Sequence, residues 1–184
     1  MVFIDRILHS DILSTPFTIL SFEEPFGFPV KIKSSAGEIG LQIGGRIDRI
    51  DLKEGLVRII DYKTGSIKDS VGSVSELFED DRDKDTDGWL QTLVYCESYL
   101  AHNPGARVVP SIYKLKRAPG KDLSEKLLIK PDFRLEDYSA VREEFMSDLS
   151  DTLEIIFSPG EPFVMTRKSW GKCTWCPYKG LCQR

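Results

Sequence analysis

Two carboxylates and an amine, Asp48, Asp61 and Lys63, fall inside two short runs of alternating character, Leu41 to Asp51 and Leu56 to Lys63. Side chains along a strand alternate between faces, so Asp61 and Lys63 point the same way while Tyr62 points to the other. Lys53-Glu54-Gly55 between the runs signals a hairpin. A two-residue Glu54-Gly55 loop pairs Lys53 with Leu56 and carries Asp48 opposite Asp61; a three-residue loop with a bulge shifts that register by one. Two like charges placed directly across a ladder destabilise it, and a divalent cation between them removes the penalty.

Asp48 and Asp61 are embedded among Ile43, Ile47 and Ile50 and among Val57, Ile59 and Ile60, which predicts central strands rather than an exposed rim. Further along, Asp87 to Leu100 reads as a helix capped by Asp87 and ended by His102-Asn103-Pro104-Gly105. Gln91 and Tyr95 on it are one turn apart on one face.

These segments, taken in order, form a series: Gly45-Arg46-Ile47-Asp48-Arg49-Ile50-Asp51, then Asp61-Tyr62-Lys63-Thr64-Gly65, then Gln91 with Tyr95. The series resembles the motifs of the PD-(D/E)XK nuclease superfamily, and within it the RecB/AddB-like exonuclease domains of recombination helicases. The resemblance implies an α/β, restriction-endonuclease-like core, a central mixed β-sheet flanked by helices. It implies a metal-dependent DNA nuclease, an exonuclease rather than an endonuclease, serving recombination and DNA repair. Asp48, Asp61 and the backbone carbonyl of Tyr62 would hold Mg²⁺ or Mn²⁺. Lys63 would orient the attacking water, and Gln91 and Tyr95 would position water or the DNA backbone. In relatives an acidic residue on the strand before the hairpin often lies near the metal, a place that Glu24 or Glu23 could take. Relatives also carry a His or Glu on a helix well upstream of the hairpin, a role that His9 does not fit. Candidate phosphate contacts are Arg46, with Arg49 expected on the opposite face from Asp48, and the basic cluster of Lys114, Lys116, Arg117 and Lys121; a solvated basic loop is the alternative for that cluster. A non-catalytic nuclease-fold module that binds DNA or a partner is the competing reading of the whole chain.

The elements that must position these residues follow from the remaining pattern. Residues 1 to 13 have apolar residues at helical spacing. Phe17 to Glu24 reads as a strand closed by Pro25 and the Gly27-Phe28-Pro29 turn, with a second short strand at Val30 to Lys33. Ser73 to Phe78 is weakly helical. Arg107 to Lys116 is a further strand, in which Pro110 argues for an edge or a bulge, and Glu125 to Ile129 could add another. Leu135 to Phe157 repeats Tyr138, Val141, Phe145, Leu149, Leu153 and Ile156 at three- and four-residue steps, a long amphipathic helix whose stripe is core packing.

The chain of 184 residues is long enough for one domain with a sizeable core and short for two. It reads as a single nuclease-like domain, 1–184, with a Cys-rich tail at 170–184, cut from the C-terminal part of a longer helicase–nuclease. Its partners would be DNA, the rest of its own polypeptide and a helicase subunit. With 41% hydrophobic and 29% charged residues it has the composition of a globular protein. No apolar run is long enough for a membrane span and no signal peptide is evident, so a cytoplasmic location is the default. A net charge of −4 argues against a protein that coats nucleic acid by bulk electrostatics. Part of that charge lies in Glu76 to Asp87, seven acids and two bases, the pattern of a solvated loop.

Of the four cysteines, Cys173, Cys176 and Cys182 crowd into the tail, poor spacing for a disulfide framework and good spacing for a metal. Three thiolates in one loop suit an iron–sulfur cluster or zinc, free buried cysteines being the alternative. The same spacing resembles the carboxy-terminal part of the cluster site of AddB-like nucleases, which take a fourth cysteine from far upstream. Here the fourth ligand is either missing with upstream sequence or replaced by Cys96, or no cluster forms. Cys96 itself, in the Gln91–Tyr95 helix, reads as a buried helix residue.

Overall fold

The computed structural model of the chain describes residues 2–35, 37–79, 82, 84–116, 123–160, 162, 173–174 and 176–181. In chain order its elements are α1 (Val2–Ser14), β1 (Thr18–Ser34), β2 (Gly37–Lys53), β3 (Leu56–Lys63), β4 (Ser70–Val71), α2 (Asp87–His102), β5 (Val108–Lys114), β6 (Ser124–Glu125), β7 (Leu128–Ile129), β8 (Phe133–Arg134) and α3 (Arg142–Ile156), with short 3₁₀ turns before α2 and α3. A five-stranded mixed sheet runs β1-β2-β3-β5-β6, and β4, β7 and β8 make a smaller second sheet. Within the main sheet β3 and β5 are parallel and the other pairs antiparallel. A parallel pair cannot be joined by a tight turn; the connection from β3 to β5 carries α2, which packs on both.

The hairpin forms with the shorter loop. Glu54 and Gly55 have φ of +53° and +78°, the mirror-image turn whose twist suits antiparallel strands. Lys53 pairs with Leu56, and the ladder continues to Arg49 with Ile60. On one face of the sheet Ile50, Ile59, Ile112, Trp89, Leu93 and Phe145 lie in the main core with α2 and α3. Each such side chain contributes about 1.5–3 kcal/mol by leaving water. On the other face Ile60, Tyr113, Leu115 and Leu123 form a smaller cluster, against which Ile7 of α1 and Tyr62 pack. The outward residues Ile4, Leu8 and Ile12 of α1 are exposed.

Several expectations are corrected. Where the sequence pattern predicts two strands around a turn between Phe17 and Lys33, the chain forms the single strand β1, Thr18–Ser34, paired with β2 up to Ser34 and Gly37. Because β1 is the edge of the sheet, Pro25 and Pro29 lack no N–H that a neighbour requires. Pro110, by contrast, is buried and pairs with Ile59. It is tolerated because β6 covers β5 only at Ile112 and Tyr113, leaving the outer side of Pro110 without a strand partner. Asp87 does not cap α2: Thr86 holds the cap position, and the Asp87 carboxylate takes a hydrogen bond from Arg82 Nε at 3.0 Å. Glu125 to Ile129 is divided between β6 and β7, which belong to different sheets. The long helix from Leu135 begins only at Arg142. Asp137 accepts from the Ser139 amide and caps a separate 3₁₀ turn, and Val141, at φ −125°, breaks the continuity. Tyr138, Val141, Phe145, Leu149 and Leu153 are buried as the stripe requires, whereas Ile156 is exposed.

Candidate active site

The backbone ladder between β2 and β3 ends at Arg49 and Ile60. One step beyond it, the Asp48 carboxylate takes over and accepts the Tyr62 amide proton at 2.8 Å. Carried one step past the ladder, the register of the two-residue loop puts Asp48 level with Asp61. Asp61 is 1% exposed. Its carboxyl is held above the ordinary range chiefly by burial, with the nearby charge of Asp48 adding to the effect and Lys63 opposing it. Lys63 Nζ lies 2.8 Å from Asp61 Oδ2. The ammonium is thus the charge partner of a carboxylate that is otherwise buried.

Lys63 is fixed by a second contact, donating to Gln91 Oε1 at 2.7 Å, and Gln91 Nε2 donates in turn to the Tyr95 hydroxyl at 2.6 Å. The helical step from 91 to 95 stacks amide and phenol over one another, so α2 delivers a two-residue arm to the end of the β3 ammonium. Two glycines make room for it. A Cβ on Gly45 would stand 2.9 Å from Tyr95 Cε1, and one on Gly88 would stand 3.3 Å from Lys63 Cε. Asp48, Asp61, Lys63, Gln91 and Tyr95 thus belong to one connected constellation. Gly45 and Gly88 complete it, and only the first lies in a motif from which it could have been singled out.

This donor set suits a hard divalent cation. It offers the carboxylates of Asp48 and Asp61, the second of them buried, with the Tyr62 backbone carbonyl between Asp61 and Lys63 in the chain, and Mg²⁺ is commonly held by one or two carboxylates with water and substrate phosphate completing its shell. Among the described residues no group of three or more His, Cys, Asp or Glu converges on a metal position. Glu24 is exposed, its backbone pairs with Ile47, and among the described residues it joins no group of three potential ligands. Glu23 has a left-handed φ of +50° and gives its carbonyl to Arg46 Nη1 at 2.7 Å.

The basic residues divide. Arg46 and Lys116 are exposed. The Lys114 amine is engaged by Asp69 and by the Ile67 carbonyl, bracing the segment after Lys63 rather than standing free for a phosphate. Arg49 is 1% exposed and faces α1, where its guanidinium meets Asp51 and Asp11; it is no phosphate contact. Arg117 and Lys121 lie outside the described residues. In the tail, Cys173 and Cys176 are partly exposed and lie in one turn, the Cys176 amide donating to the Cys173 carbonyl at 3.2 Å. Cys182 lies outside the described residues. Cys96 is fully buried in α2, and burial pushes its thiol well above the usual range. Sequence reasoning missed the partners of α2 on its far side: Glu97, buried, receives Arg142 Nε and Nη2 at 2.7 Å each and Tyr138 Oη at 3.2 Å. Only the strangeness of a glutamate inside an apolar helix stripe signals it.

No helix among the described residues is long and apolar enough to cross a membrane. Compared with family models, the chain matches that of the PD-(D/E)XK nuclease superfamily over residues 2–183. No curated protein matches it. Among solved structures, one titled "Crystal structure of SSO0001" aligns over 97% of this chain and 67% of its own, at 14% identity and a TM-score of 0.41.

Proposed function

Because the chain belongs to the PD-(D/E)XK nuclease superfamily, we propose that it hydrolyses DNA phosphodiester bonds with a divalent cation, Mg²⁺ or Mn²⁺, seated between Asp48 and Asp61. The observation that carries this reading is the buried Asp61 carboxylate, ion-paired with Lys63, its pKa raised by burial and by the nearby charge of Asp48. Two carboxylates brought together at a buried site with one ammonium beside them are a costly arrangement for stability alone, and a cation would offset the remaining negative charge.

In this reading Asp48, Asp61 and the Tyr62 carbonyl bind the cation, which supplies Lewis acidity at the phosphate and a more acidic water. Lys63 holds the attacking water and offsets negative charge gathering on the phosphate oxygens, a preorganised cation that needs no rearrangement during the reaction. Gln91 keeps the ammonium directed at that point, and Tyr95 keeps Gln91 there. Arg46 and Lys116, both exposed, offer phosphate contacts, which position a strand without reading its sequence. The resemblance of the three motifs to RecB/AddB-like domains supports the finer proposal: an exonuclease working with a helicase in recombination and repair. Cys173, Cys176 and Cys182 would then hold an iron–sulfur cluster or zinc as a staple for the tail.

One observation favours a second reading, a DNA- or partner-binding module without activity, stabilised by a cluster: no third carboxylate joins the pair among the described residues. The test is degradation of linear DNA with Mg²⁺ by the wild type, Asp61→Ala and Lys63→Ala, with iron and zinc measured on the same preparation. Loss of cleavage in both variants supports the mechanism. Undiminished cleavage in both removes it, and DNA binding without cleavage by an iron-loaded wild type establishes the second reading.

A further inference from the structure

The catalytic reading leaves open what keeps two carboxylates from adjacent strands at a fixed separation just where the backbone ladder between those strands has ended. The sheet carries a group of charges on its back face that the mechanism does not use. Arg49 follows Asp48, and Tyr62 lies between Asp61 and Lys63. By strand alternation, whatever ties Arg49 to Tyr62 behind the sheet orients their neighbours in front of it. Arg49 Nη1 donates to the Tyr62 hydroxyl at 3.3 Å.

The guanidinium itself cannot turn. Its Nε and Nη2 donate to Asp51 Oδ2 at 3.1 and 2.7 Å, and Nη1 donates to Asp11 Oδ1 and Oδ2 at 3.0 and 2.8 Å. The Phe17 ring lies 4.9 Å away from it. Arg58 shares Asp51 from the other side and reaches Ser14 of α1 at 2.8 Å. The Tyr62 ring stands edge-on against Tyr113, with centroids 5.7 Å apart and planes at 84°. A buried ion pair rarely stabilises a fold more than apolar residues of the same volume would, so stability alone does not account for this cluster. What a rigid planar fork supplies is orientation.

We propose that Arg49, held by Asp11 of α1 and by Asp51, is a positioning residue that anchors Tyr62 from behind the sheet and thereby sets the distance between Asp48 and the Asp61–Lys63 segment. The front tie, Tyr62 amide to Asp48, and the back tie, Tyr62 hydroxyl to Arg49, clamp one residue from both faces. The consequence for catalysis rests on the nuclease reading above; the clamp does not. It also gives α1 a role, since Asp11 is the residue through which that helix reaches the clamp.

The decisive variant is Tyr62→Phe, which deletes one hydroxyl and keeps ring and backbone; Asp11→Asn tests the anchor from α1 at a distance. Three quantities are read: amide hydrogen exchange along β3, Mg²⁺ affinity by calorimetry, and kcat and KM for linear DNA. With the melting temperature near that of wild type, the proposal expects amides at 61–63 to exchange about tenfold faster while those at 57–60 keep their protection. It expects Mg²⁺ affinity and kcat to fall by about tenfold, the usual cost of losing a support behind a metal ligand, with KM for DNA unchanged. Asp11→Asn should give the same pattern, weaker. A lowered melting temperature with exchange at 61–63 and Mg²⁺ affinity unchanged would show a merely structural role and overturn the proposal. A wild type that neither binds Mg²⁺ nor cleaves DNA refutes the nuclease reading instead, and the exchange pattern still decides whether the clamp exists.

Discussion

Replacing Asp61 with asparagine should make the metal-free protein more stable while abolishing its activity. Asp61 is buried beside Asp48, and its carboxyl is raised above the ordinary range mainly by burial. A group with a raised folded-state pKa contributes stability that is fully present below its unfolded pKa and lost as pH rises through the folded one. As pH rises the wild type therefore loses stability to a charge that its fold disfavours. Asparagine keeps the shape and removes the charge. Lys63 is not stranded by the change, since it retains Gln91 and partial access to water. Relief of this kind at a functional site is typically about 0.5–2 kcal/mol. Taking about 1 kcal/mol, a domain of this size should melt about 2–4 °C higher. The difference should shrink at pH values below the ordinary carboxylate range, where the wild-type group is itself neutral.

Mg²⁺ should reverse the order. At 100 times its dissociation constant a ligand stabilises the native state by about 2.7 kcal/mol, or roughly 5–10 °C here, and the variant, short of one anionic ligand, should gain little of it. Differential scanning fluorimetry with and without Mg²⁺, at neutral and acidic pH, measures all four cases. If Asp61→Asn melts below the wild type without metal, Asp61 serves as a structural partner of Lys63. If both proteins gain equally from Mg²⁺, the cation binds elsewhere. Either result refutes the reasoning.

Gly45→Ala should act through Tyr95: a Cβ placed 2.9 Å from that ring pushes the phenol off Gln91, and steady-state DNA cleavage should show kcat lowered by about tenfold for a melting shift of only a few degrees. Arg142→Ala should do the opposite, leaving cleavage per folded molecule unchanged while removing the charged partner of buried Glu97; because the Arg142 side chain is 52% exposed and water can replace it in part, urea unfolding should show a loss of about 2 kcal/mol, below the roughly 3–5 kcal/mol of breaking a fully buried pair.

What could be read in advance was local. The Lys53-Glu54-Gly55 segment announces a hairpin but leaves two registers open; the positive φ of Glu54 and Gly55 selects the two-residue loop, and its register, carried one step past Arg49 and Ile60, puts Asp48 level with Asp61. Helical spacing likewise placed Gln91 under Tyr95. The failures share one cause, that tertiary context decides what a local signal means. Pro25 and Pro29 look like strand breakers until β1 is known to be an edge, and Pro110 marks an edge that is only local, where β6 stops short of it. Asp137 looks like one more polar residue on a helix until its carboxylate caps a separate turn. Arg49 is the most instructive case: alternation correctly turned it away from Asp48, yet no periodicity reveals that Asp11, more than thirty residues earlier, waits on that side. The front of the site is written in short motifs, each of residues a few positions apart, which chemistry can interpret directly. Its back is written in contacts between distant elements, and a buried arginine flanked by acids in an otherwise apolar strand is the one trace that they leave in the sequence.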